Sequence, residues 1–110
     1  MVAVEFKVDR QGMYQGFTFA GHADYAEPGF DIVCAAISIL SHTFMAGLET
    51  IVKLPLQIKA DQTSGYLDCN WVNLPEKSER TQLLVETMRL GLSEIQAQYP
   101  DHITLCEVEV

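Results

Sequence analysis

Asp31-Ile32-Val33-Cys34-Ala35-Ala36-Ile37-Ser38-Ile39-Leu40 opens the most apolar stretch of the chain, Ile32 to Leu48. An aspartate directly ahead of an apolar run is an N-cap in type and position, because its carboxylate can accept from the unpaired N–H groups of a first helical turn. The helix should run to about Val52 and stop ahead of Leu54-Pro55, since proline disfavours helical backbone in the residue before it. Between Asp31 and Val52 the only further charge is Glu49. A helix apolar on nearly every side must be covered on most of them. One sheet in so small a domain cannot do this, so a second helix, or the same helix of a partner subunit, is required.

Outward from this helix the periodicity changes. Val2, Val4, Phe6 and Val8 alternate with Glu5 and Lys7 between them, the pattern of a half-buried strand. Asp9-Arg10-Gln11-Gly12 is a turn, and Met13 to Ala20 is the returning strand of a hairpin. Gly21-His22-Ala23-Asp24-Tyr25-Ala26-Glu27-Pro28-Gly29-Phe30 reads as a loop, with glycine near each end and a proline. Beyond the helix, Leu56 to Asp61 alternates again, Gln62-Thr63-Ser64-Gly65 turns, and Tyr66 to Val72 is the hairpin partner. Ser78 to Tyr99 is amphipathic, with Leu84, Met88, Leu92 and Ile95 recurring at steps of three and four. Pro100 ends it, and Ile103 to Val110 is a last strand. The order ββαββαβ predicts one α+β domain over 1–110, a largely antiparallel sheet packed with two helices.

Composition narrows the class. With 110 residues, 48% of them hydrophobic, the chain can build a core without disulfides or metal. No unbroken apolar window of roughly 18–20 residues suggests a membrane span, because Ser38, Ser41, His42 and Thr43 interrupt the apolar helix. The N-terminal segment alternates and lacks the basic-then-apolar order of a signal peptide, so a cytoplasmic location is expected. Cys34, Cys69 and Cys106 are widely spaced and odd in number, which is neither a disulfide framework nor a zinc pattern. Fifteen acidic against seven basic residues give a net charge of −8. That repels nucleic acid and suits a basic partner.

With Asp31 as N-cap, Cys34 falls at the third position of the first turn. Unpaired amides and the positive end of the helix dipole favour thiolate over thiol there, and the amides offer a possible oxyanion site. A thiolate catalyst needs a proton carrier. His22 lies twelve residues earlier, on a loop long enough to fold back over the helix start. Asp31 could orient the imidazole or simply cap the helix. Ser38 is one turn after Cys34 on the same face. Each residue also has a plainer reading: a cysteine on an apolar helix as a small core residue, a histidine after a strand as a loop residue, Ser38 as structural. His42 lies two turns beyond Cys34 and is read as packing or facing solvent. His102, Cys69 and Cys106 are read as structural. His22, Asp31, Cys34 and His42 match no standard zinc spacing, so no metal or cofactor is expected.

Gly21-His22-Ala23, the loop closing in Gly29-Phe30, and Asp31-Ile32-Val33-Cys34-Ala35-Ala36-Ile37-Ser38 together resemble the signature of the bacterial ribosomal-processing cysteine proteases, Prp. The resemblance implies a homodimer joined through helices and an enzyme that removes an N-terminal extension from a large-subunit ribosomal protein at an apolar, phenylalanine-containing motif. It implies His22 and Cys34 as catalytic, Asp31 and Ser38 as supporting, Gly21 as a hinge, and 23–30 as a flap that orders around substrate. Two alternatives stand beside it. A non-enzymatic ribosome-associated module would bind without cleaving, and a thiol redox protein would need Cys69 or Cys106 to approach Cys34.

Overall fold

Val2–Val8 (β1) and Tyr14–Ala20 (β2) form the first hairpin, with Phe6 opposite Phe17 and Val4 opposite Phe19. The register slips by one residue between Lys7 and Val8, so that Val8 pairs with Tyr14. Such a bulge adds local twist at the end of a ladder. In the computed structural model, which describes residues 1–27 and 29–110, the chain then forms a helix at Ile32–Ala46 (α1), a second hairpin from Gln57–Asp61 (β3) and Tyr66–Asn70 (β4), a helix at Ser78–Gln98 (α2) and a final strand at Ile103–Glu109 (β5).

The five strands lie in the order β3-β4-β2-β1-β5. β1/β2, β2/β4 and β3/β4 are antiparallel, while β5 runs parallel to β1. The fold is thus the expected ββαββαβ arrangement with a mostly antiparallel sheet. The one parallel pair arises because α2 carries the chain back along the sheet before β5 begins. β4, not β3, joins the first hairpin: Phe17 stands opposite Cys69 and Phe19 opposite Leu67. Sequence periodicity carries no information on this choice.

The core lies between the sheet and the helices. Val4, Phe6 and Phe17 from the sheet, Val33 and Leu48 from the first helical segment, Met88 and Leu92 from α2, and Ile103 from β5 are all fully or almost fully buried. The helices cross antiparallel and close, Gly91 facing Leu40 and Gly47 facing Leu84. Regular α-helix ends at Ala46, and a π-helical turn at Gly47–Ile51 completes the run that the sequence carries to Val52. By length and composition Ile32–Ile51 would suffice to cross a membrane. Here Val33, Ile37, Met45 and Leu48 pack into the core. α2 covers one flank only, leaving Ile39 67% and Ile51 74% exposed.

Candidate active site

Asp31 has the extended backbone of an N-cap, and its Oδ1 accepts from the Cys34 N–H at 2.8 Å. The other oxygen, Oδ2, accepts from the Tyr25 N–H at 2.9 Å and the Ala26 N–H at 3.4 Å. One side chain therefore fastens the loop to the start of α1. Partial burial would raise its carboxyl, but the backbone N–H groups of Cys34, Tyr25, Ala26 and Val33 outweigh that and hold it below the ordinary carboxylate range. Of the two roles open to Asp31, the geometry shows the cap. The Cys34 amide it occupies is not free to serve an oxyanion.

Cys34 is half-buried in the first turn of α1, with Ser38 one turn on and exposed. His22 leaves the end of β2 just after Gly21, whose φ of +100° only glycine adopts without strain. A side chain on Gly21 would also strike the Met1 carbonyl. Two hollows meet at these residues. One, of about 250 Å³, has Phe19, Ile37 and Leu67 among its apolar walls and is bordered by the β3–β4 turn. The other, of about 510 Å³, lies under the loop, between Asp24, Ala26 and Gly29 and the start of α1. His22, Cys34 and Ser38 line both. The structure thus brings together the expected nucleophile, base and serine. His42, expected to pack or face solvent, is exposed and borders the apolar hollow.

The loop has a fixed foot. Ala23 is fully buried, and its carbonyl lies 2.7 Å from Nδ1 of His102. Tyr25 packs edge-on against Tyr99 and His102. His102 is structural, as the sequence suggests, but what it supports is the segment next to His22. Beyond this foot Glu27 is exposed and Phe30 is 79% exposed. Pro28, also in the expected flap, lies outside the described residues.

Two groups escaped the sequence reading. The Thr63 carbonyl lies 3.1 Å from Nε2 of His22, and any side chain at Gly65 would crowd the same residue. A main-chain carbonyl in a turn has no residue signature, and nothing local links positions 22 and 63. Cys69 is fully buried, and burial followed by the neighbouring Asp68 charge pushes its thiol up to about 12. It therefore stays protonated at neutral pH, and neither it nor Cys106 lines the two hollows. Among the described residues, no cluster of three His, Cys, Asp or Glu side chains could hold a metal.

Comparison with known proteins identifies the family. Residues 1–104 match the family described as cysteine protease Prp. The ribosomal processing cysteine protease Prp of Staphylococcus aureus is 28% identical over 105 residues, covering 96% of this chain and 97% of the relative. Its Bacillus subtilis counterpart is 31% identical over 93 residues, covering 79% and 80%. The crystal structure of S. aureus Prp with a covalently linked product peptide superposes with a TM-score of 0.90 at 27% identity, covering 98% of this chain and all of that one. The chain belongs to the Prp family of ribosomal processing proteases and is a cysteine protease.

Proposed function

We propose that this protein is the cytoplasmic endopeptidase that removes an N-terminal extension from a large-subunit ribosomal protein during ribosome assembly, with Cys34 as nucleophile and His22 as its proton carrier. The observation that carries the assignment is that both residues line two adjoining hollows. A peptide laid across them passes Cys34 with an apolar recess to one side and the loop-covered recess to the other. The apolar recess suits the bulky apolar residue expected at the cleavage motif. The covalently linked product peptide in the S. aureus structure fits a thiol nucleophile.

The steps follow from the groups present. The Cys34 proton passes to His22, and the thiolate sulfur attacks the scissile carbonyl carbon, sending the C=O π pair to oxygen. Collapse breaks the C–N bond as the imidazolium protonates the leaving amine. His22 then takes a proton from water, whose oxygen displaces the Cys34 sulfur from the acyl carbon. Asp31 supports the site by holding loop and helix in register, and Ser38 by offering a hydroxyl beside the thiol. Gly21 serves as a hinge ahead of the foot at Ala23 and Tyr25, and the loop beyond that foot, as far as Phe30, serves as a flap over bound peptide. The acidic chain engages a basic ribosomal protein, not RNA. It works as a homodimer through the outer side of α1, where Ile32, Ala35, Ile39 and Ala46 are exposed at helical spacing.

The test is mass spectrometry of a peptide spanning the extension of the host's own ribosomal protein, incubated with wild type and with Cys34→Ala. A single cut made only by the wild type is expected. No cut by folded, reduced wild type would favour a module that binds without cleaving.

A further inference from the structure

A histidine base works through one ring nitrogen, and the bond made by the other decides which one. We infer that the main-chain carbonyl of Thr63 is the positioning group for His22, fixing its proton on Nε2 and leaving Nδ1 to exchange the proton of Cys34. This rests on the proposed roles of His22 and Cys34. A carbonyl oxygen can only accept, so the 3.1 Å contact requires Nε2 to be the donor. The acceptor stays in place when Nδ1 is protonated, and it then faces an imidazolium, where the bond is stronger.

Two hydrogen bonds hold the turn in position to do this. The Thr63 N–H donates to Oδ1 of Asp61 at 3.0 Å, which orients that stretch of the turn. The Gly21 N–H donates to the Gly65 carbonyl at 3.0 Å, joining the turn to the residue before His22. Gly65 has a φ of +68°, and a Cβ placed there would meet the Gly21 carbonyl and come within 2.9 Å of Cε1 of His22. The β3–β4 turn thus leaves no room beside the imidazole for a side chain at position 65. Among carboxylates, Asp31 is committed to the amides of Cys34, Tyr25 and Ala26, and Asp61 to the Thr63 N–H. The place that a carboxylate or amide side chain occupies in other nucleophile–histidine systems is taken here by the backbone.

The test replaces the Thr63–Ser64 amide with an ester, by ligating a synthetic 1–68 segment carrying the hydroxy-acid analogue of Ser64 to a 69–110 segment at Cys69. An ester carbonyl is a weaker acceptor. The Ser64 N–H that is lost donates to no protein group among the described residues. The expected result is an upfield shift of the His22 Nε2 proton in imidazole NMR and a several-fold fall in kcat with KM little changed. Gly65→Ala, which drives the turn off the ring, should cost roughly tenfold or more in kcat. A His22 protonated on Nδ1 in the neutral wild type, or a folded ester protein with unchanged Nε2 resonance and kcat, would overturn the inference. The NMR readings need no turnover, so a wild type that cuts nothing would refute the protease reading while the orientation of His22 is still decided. Should Gly65→Ala fail to fold, the ester protein alone decides it.

Discussion

Asp31 carries the largest number of separate duties of any single residue near the site. Replacing it with alanine should cost about 1 kcal/mol through the lost cap, read as a lower thermal midpoint. Hydrogen exchange at Tyr25 and Ala26 should quicken as well, because their amides lose their acceptor. The pH dependence has a definite sign. The folded carboxyl sits below its ordinary value of 3.8, so its contribution is complete above that value and is lost as the pH falls through the lower folded one. Between pH 5 and pH 2, wild-type stability should therefore fall more than that of Asp31→Asn, which keeps a capping oxygen without the charge; equal slopes would remove the carboxylate from the account. His22→Ala addresses the neighbouring question. If thiolate and imidazolium support one another, iodoacetamide alkylation of Cys34 should require a higher pH in the variant, and an unmoved profile would count against the pair.

At the level of elements, the loop from Gly21 to Phe30 hangs from β2 and is fastened by parts of the fold far away in sequence. His102, at the α2–β5 corner, grips the carbonyl of Ala23, and Tyr99 backs Tyr25. His102→Ala should lower stability by about 1 kcal/mol, the net worth of an ordinary hydrogen bond, and should speed backbone exchange at Asp24 and Tyr25 while leaving α2 protected. Uniform loosening of the molecule would show the corner to be a general core contact instead. The strands and helices around this loop were legible because alternation and three-four spacing are local consequences of burying one face. The loop's fastenings were not, since a carbonyl gripped by a remote histidine leaves no pattern in either segment.

Over the whole molecule, the sheet has helices on one face and α1 is covered by α2 on a single flank. Ile39 stays 67% exposed on the uncovered side of this helix. Analytical ultracentrifugation should find a dimer for the wild type and a monomer for Ile39→Glu. A wild type that is monomeric at micromolar concentration would mean that a different partner, or none, covers this stripe.

Sequence alone determined whatever depends on neighbours a few residues apart. Three positions of helix fix the geometry between an N-capping Asp31 and Cys34, and one turn more places Ser38 beside the thiol. The pairing of this block with Gly21-His22-Ala23 carried the family, and with it the proposal of His22 as the base. Only the tertiary structure decided that β4 lies against β2, and that choice brings the turn at 62–65 under His22. It also decided that Asp31 serves the loop and the helix start. Both arrangements are made through main-chain N–H and C=O groups, which every residue type offers alike, and the placing of β4 and its turn also through contacts across forty or more residues, which no local spacing encodes.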